Sequence, residues 1–178
     1  MRNEEFNVEP LIKSLLNQGG SIYVLDDNST DKTLDTLNTF DNQIKIIEGK
    51  ELPAGWLGKN FACHQLAVAS SNQYLVFIHA DVRLNEFFII KRSAYLACGG
   101  HKEIKSEVLD DIELARSLIS SGFIGGPVDG SRIAECHMYK SDKDLLKGYG
   151  KSLWRAFGGI FGSAIAITLL FATALPFI

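Results

Sequence analysis

The sequence predicts an α/β fold built on a parallel sheet, and three observations predict it. Helix-like and strand-like segments alternate along the 178 residues. The strand-like segments are continuous apolar runs rather than alternating ones, as in strands covered on both faces. Two of these runs, SIYVL (21–25) and YLVFIHA (74–80), end at acids, Asp26-Asp27 and Asp81. Ligands of open parallel sheets sit just beyond the carboxyl ends of the strands. A net charge of -3, with 46% hydrophobic and 22% charged residues, describes a globular chain with one core. It excludes a disordered tail, and it lacks the basic excess of a nucleic-acid binder, so no nucleic-acid partner is expected.

Each element has a local reason. NVEPLIKSLLN (7–17) places Leu11, Leu15 and Leu16 on one helical face, and Gly19-Gly20 follow its end. SIYVL is a short β-branched run and reads as a buried strand. Ser29 or Thr30 is expected to cap a helix running to about Phe40, with Asp31 favoured in its first turn by the helix dipole. QIKII (43–47) is a second strand, and GKELPAGWLGKN (49–60) is a Gly/Pro loop. A helix is expected from Phe61 to Ser70, and YLVFIHA is the third strand. DDIELARSLISSG (110–122) is an amphipathic helix closed by a glycine. Cys63, Cys98 and Cys136 form no CxxC pair and read as reduced core thiols of a cytosolic setting.

Charge divides the chain into three. Residues 1–139 carry a net -6, residues 140–155 a net +3, and residues 156–178 no charge at all. The last 23 residues, AFGGIFGSAIAITLLFATALPFI, are long enough for a helix across a bilayer core, which needs about 20 apolar residues. Lys143, Lys147, Lys151 and Arg155 recur every four residues before it and make a basic stripe suited to an interfacial helix on anionic lipid. The expectation is therefore an α/β domain over 1–139, an amphipathic interfacial helix over 140–155, and a C-terminal transmembrane segment over 156–178. By the positive-inside rule the α/β domain lies on the cytoplasmic side of the cell membrane.

Asp26, Asp27 and Asp81 each follow a buried run, where a carboxylate is costly without a partner. A hard cation, Mg²⁺ or Mn²⁺, shared with a substrate phosphate is one such partner. The string YVLDDNSTDKTL resembles the acid pair of a response-regulator receiver, but no strand-Lys-Pro string follows it. A second resemblance covers far more of the chain. RNEE (2–5), VLDDNSTDKT (24–33), ELPAGWLGKNFACHQLA (51–67), HADVR (79–83), KRSAYLACGGH (91–101) and DDIELARSL (110–118) occur in this order. Together they resemble inverting family 2 glycosyltransferases of the GT-A fold. They look most like the membrane-associated bacterial group that works on carotenoid and hopanoid-type lipids.

The resemblance implies a Rossmann-like, mainly parallel sheet with helices on both faces. It also implies a nucleotide-sugar donor, a UDP-sugar, and a lipid or isoprenoid-type acceptor. Arg2, Asn3 and Glu4 would lie near the nucleotide, with Asp26 and Asp27 at its base and ribose. Lys59 and Asn60, opening a helix, would face the diphosphate, which a helix N-terminus and a lysine both favour. HAD (79–81) stands where the family has its DxD motif, so Asp81 would ligate the metal with His79 in place of the first acid. Asp111 falls on the family's base, which removes the acceptor's proton as its hydroxyl attacks the anomeric carbon. The sequence departs from the family in three places. It shows no strand before RNEE, only nine residues separate Asp81 from Lys91, and there is a single apolar segment where the family usually has more than one. The expected consequences are a gap in the sheet with exposed apolar edges, and either an enzyme or a nucleotide-sugar-binding remnant without catalysis.

Overall fold

The computed structural model describes residues 1–80, 82–83, 88–126 and 135–136. Asp81, the expected basic helix at 140–155 and the expected membrane span at 156–178 lie outside the described residues. Among the described residues, no helix is long and apolar enough to cross a membrane.

The architecture is mixed α/β. Helix α1 (Glu5–Leu16) buries Val8, Leu11 and Ile12, whose spacing sets them on one face. Strand β1 (Tyr23–Asp26), helix α2 (Thr33–Asn38) and strand β2 (Lys45–Glu48) follow. β1 and β2 pair in parallel from Tyr23↔Lys45 to Asp26↔Glu48 across a helical crossover. Helix α3 (Gly58–Ala69) leads to strand β3 (Tyr74–Phe77), and then to strands β4 (Val82–Arg83) and β5 (Phe88–Lys91). Helices α4 (Arg92–Ala97), α5 (Gly100–Glu103) and α6 (Asp110–Ser120) and strand β6 (Glu135–Cys136) complete the described elements.

The sheet differs from the mainly parallel one expected. Only β1–β2 is parallel among the described strands; β3–β5 and β4–β6 are antiparallel, and the three pairs are not joined by strand hydrogen bonds. The reason is local. The short return after β3 brings Phe88–Lys91 back against it, Tyr74↔Lys91 through Phe77↔Phe88, before any helical crossover intervenes. β1 and β3 therefore do not pair with each other among the described strands. β3 is also not buried on both faces, since Leu75 is buried while Tyr74 and Val76 are exposed.

The core is correspondingly double. One cluster joins α1, β1 and α2 through Val8, Ile12, Val24, Leu37, Phe40 and Ile44. The other joins α3, β3, β5, α4 and α6 through Ala67, Leu75, Ile90, Ala94, Tyr95 and Leu114. Between them lies a cavity of about 750 Å³.

Two helix starts differ from the sequence reading. α2 is not capped by Ser29 or Thr30; its N-cap position is Lys32, and Asp31, one residue earlier, accepts the Thr33 N–H on Oδ1 at 2.9 Å in the turn that leads into the helix. Ser29 and Thr30 are occupied elsewhere, by Asn3. α3 begins at Gly58 rather than Phe61, because the Leu57 N–H is held by the Lys105 carbonyl at 2.8 Å and fixes the chain at the helix entry.

Among the described residues, Gly100 is the one glycine whose replacement is sterically blocked by a ring. Its φ is +55°, and an added Cβ would lie 2.8 Å from the Tyr95 hydroxyl and closer still to the ring. Gly100→Ala therefore combines left-handed strain with overpacking and is expected to cost about 2–4 kcal/mol. Urea unfolding of the two proteins checks this; a variant as stable as the parent would mean that α5 re-forms without Gly100.

Candidate functional site

Two loops first lock together at the head of β1. The Asn3 side-chain oxygen accepts from the Thr30 N–H at 2.8 Å, and the Asn3 N–H donates to Ser29 Oγ at 3.1 Å. The Glu4 N–H donates to Thr33 Oγ1 at 2.7 Å, and Thr33 is fully buried. Asn3 and Asn28 hold positive φ of 56° and 55°, which asparagine tolerates better than most residues. The RNEE and DDNSTD segments are thus one structure, with Arg2 exposed on it.

The two acids after β1 have different surroundings. Asp26 is buried; its Oδ2 accepts the Ser29 N–H at 3.3 Å, while Oδ1 has no hydrogen-bond partner. Asp27 is half-buried and its carboxylate lies between two glycines. A Cβ on Gly49 would come 3.2 Å from its Oδ1, and a Cβ on Gly58 would come 4.0 Å from its Oδ2. Gly58 opens α3, so the Asp27 carboxylate stands beside the positive end of a 12-residue helix.

The next residue carries the site to the second acid pair. Lys59 Nζ lies 2.6 Å from Asp110 Oδ1 and 3.7 Å from Asp111 Oδ2. Asp110 and Asp111 form the first turn of α6, where helix dipole and capping both favour them. Their roles diverge through burial. The Asp110 side chain is 3% exposed and that of Asp111 is 63% exposed. Asp110 is therefore an internal anchor for Lys59, and Asp111 presents a carboxylate to solvent. Asn60 lies in the interior, where its side-chain amide donates to the Ile104 and Glu107 carbonyls at 2.7 and 2.9 Å. It fixes the loop that delivers α6 to α3.

A buried aromatic group backs Asp110, and the sequence reading gave it no role. The Tyr95 hydroxyl accepts the His101 backbone N–H at 3.1 Å and lies 3.0 Å from His101 Nδ1. It donates to Nδ1, which places the proton of neutral His101 on Nε2, 3.9 Å from Asp110 Oδ2. Burial pushes His101 down to about 4 and Tyr95 up to about 12. Cys63, on the inner side of α3, is also pushed up by burial to about 12, with Asp110 adding to the effect. The signal for this group was the string YLACGGH, where paired glycines precede a histidine.

Asp27, Lys59, Asp110 and Asp111 thus converge on the start of α3. His79 is half-buried and lines the cavity between the two cores together with Asp27 and Lys59. Residues 1–91, half of the chain, match Glycosyl transferase family 2. The chain belongs to this family. A 4,4'-diaponeurosporenoate glycosyltransferase of Staphylococcus haemolyticus is 33% identical over 86 residues, which make up 47% of this chain and 23% of that protein. The chain thus spans about a quarter of the length of the curated relative it matches. Family membership removes the receiver reading of YVLDDNSTDKTL. In this family 2 chain, no three His, Cys, Asp or Glu side chains among the described residues form a group fit to hold a metal ion. Of the two ligands that the resemblance implies, Asp81 and His79, His79 alone is among the described residues.

The depressed His101 pKa fixes a pH dependence. Below its ordinary value of 6.5 the unfolded chain takes up a proton that the folded chain refuses until about pH 4. Stability is therefore whole above pH 6.5 and falls as the pH drops from 6.5 towards 4. His101→Gln, which keeps a side-chain acceptor for Tyr95 but takes up no proton, is expected to flatten this decline in thermal melts between pH 7 and 4. An unchanged slope would assign the decline to other groups.

Proposed function

We propose that this chain carries the donor-binding and base-bearing face of a GT-A glycosyltransferase. The reaction moves a sugar from a nucleotide-sugar, a UDP-sugar, to a lipid or isoprenoid-type acceptor with inversion. The observation that carries this reading is the convergence of Asp27, Lys59 and Asp111 on one helix start. It brings a carboxylate for the base and ribose, a cation with a helix dipole for the diphosphate, and an exposed carboxylate for proton removal within reach of one ligand. The relative named for 4,4'-diaponeurosporenoate supports the acceptor class, and the uncharged run at 156–178, preceded by the basic stripe Lys143, Lys147, Lys151 and Arg155, supports a site on the cytoplasmic side of the cell membrane.

Each residue has a separable task. Asp27 accepts from the donor's ring N–H or ribose hydroxyl. Lys59, held from behind by Asp110, opposes the negative charge that grows on the departing diphosphate. Arg2, on the exposed loop, and Asp26, buried beneath it, frame the nucleotide. Asp111 takes the proton of the acceptor hydroxyl as that oxygen attacks the anomeric carbon from the face opposite the diphosphate. Mg²⁺ or Mn²⁺ held by Asp81, with His79 beside it, would neutralise part of the diphosphate charge. The split core favours a second reading, a nucleotide-sugar-binding remnant that does not turn over, and release of nucleoside diphosphate in the presence of a lipid acceptor distinguishes the two.

Asp111→Asn is expected to reduce transfer by about 100-fold or more while leaving UDP-sugar affinity unchanged, since a general base contributes roughly that much. Calorimetry for binding and a diphosphate-release assay read the two quantities separately. Weakened binding in Asp111→Asn would place the residue on the donor instead. Asp81→Ala is expected to lower UDP-sugar affinity only when Mn²⁺ is present. Equal affinity of wild type and variant in Mn²⁺ would count against the metal role.

A further inference from the structure

Asp110 is held firmly on one side only. Its Oδ1 meets Lys59 Nζ at 2.6 Å, while its buried Oδ2 has no hydrogen-bond partner among the described residues. The group nearest to supplying one is the His101 ring, with Nε2 at 3.9 Å from Oδ2. That ring is locked in place. It is 2% exposed and packs edge-on to Phe77, with ring centroids 5.0 Å apart. The left-handed turn at Gly99 and Gly100 sets its backbone N–H against the Tyr95 hydroxyl. The hydrogen bonds also choose its tautomer. Tyr95 accepts that backbone N–H, so its own O–H is left to donate to Nδ1 at 3.0 Å. The other tautomer would bury the Tyr95 O–H without an acceptor and set the lone pair of Nε2 beside a carboxylate. The proton therefore sits on the nitrogen beside Oδ2. At 3.9 Å the contact is a dipole next to a charge, about 1 Å short of a hydrogen bond. An imidazolium there would compete with Lys59 for Asp110, and burial keeps the ring neutral down to about pH 4.

We propose that His101 is a positioning residue for Lys59: its Nε2–H secures Oδ2 of Asp110, so that Oδ1 stays aimed at the lysine and the lysine stays at the start of α3. What Lys59 is positioned for, the donor's diphosphate, rests on the reading given under the proposed function. The demand on His101 grows when a donor arrives. A diphosphate draws on the same ammonium, and each bond it takes leaves Asp110 closer to a bare buried charge. The His101 N–H then closes on Oδ2 and keeps the carboxylate satisfied while Lys59 turns to the ligand. Tyr95 acts one step further back, by holding the proton on Nε2.

The experiment compares wild type, His101→Asn, His101→Leu and His101→Gln in the full chain at about pH 6, where the folded ring is still neutral. Asparagine can meet Tyr95 but is too short to reach Asp110, leucine fills the space and donates nothing, and glutamine can serve both neighbours. The first readout needs no ligand. NMR of the Lys59 ammonium follows its proton exchange, which the bond to Asp110 slows. His101→Asn and His101→Leu are expected to speed that exchange about tenfold, and His101→Gln to keep it within about twofold of wild type. The second readout is calorimetry with UDP and with uridine. The Asn and Leu variants are expected to bind UDP about tenfold more weakly and uridine equally well, with no further loss when Lys59→Met is added. Imidazole nitrogen spectra of the wild type are expected to show the proton on Nε2. The proposal is overturned by unchanged ammonium exchange in the Asn and Leu variants, by failure of glutamine to restore it, or by a proton on Nδ1. Equal loss of UDP and uridine, or loss of folding in both variants, also overturns it, since His101 would then be a structural residue alone. UDP bound no more tightly than uridine by the wild type would overturn the donor-site reading instead, and the ammonium exchange would still decide whether His101 positions Lys59.

Discussion

The site depends on the ion pair between Lys59 and Asp110, 2.6 Å apart. It joins the first turn of α3 to the first turn of α6, elements 51 residues apart in sequence. Each partner is awkward alone. Asp110 is buried with one oxygen lacking a hydrogen bond, so without Lys59 it would be a bare charge in the interior. Lys59, partly exposed, would be free to swing away from the start of α6. Together they set both helix starts in one place, and the adjacent Asp111 is left exposed by the same geometry.

Around that pair the molecule divides its polar groups between holding and acting. Asn60 and Thr33 are buried and hold loops, through the 104–107 carbonyls and the Glu4 N–H. Tyr95 and His101 fill the space behind Asp110 with a neutral pair, which adds no second charge to a region already carrying one. Asp27 and Asp111 keep contact with solvent and are the groups available to a ligand. The arrangement explains how a small chain can afford several acids near one another: each that is buried has its own partner or its own loop to cap.

Much of this was legible in the sequence, and the parts that were not share a cause. The helices at 5–16 and 110–120 follow from apolar spacing, and the parallel β1–β2 pair from two apolar runs with a helix between them. The convergence of Asp27 and Asp111 came from ordered motifs, because no periodicity links residues so far apart. Strand pairing was misread at β3, where the chain returns on itself before a crossover can form. Capping was misread at α2, because Ser29 and Thr30 are claimed by Asn3, a partner distant in sequence. Tyr95, Gly100 and His101 were overlooked because a neutral buried triplet has no charge pattern; only the left-handed glycine required beside a ring betrays it.

Cys63 carries a consequence of a different kind. Its thiol sits on the inner side of α3 near Lys59 and Asp110, yet burial keeps it protonated at any pH a cell reaches. A protonated thiol is a poor nucleophile. Electrophiles and mild oxidants that capture thiolates would therefore react slowly with Cys63.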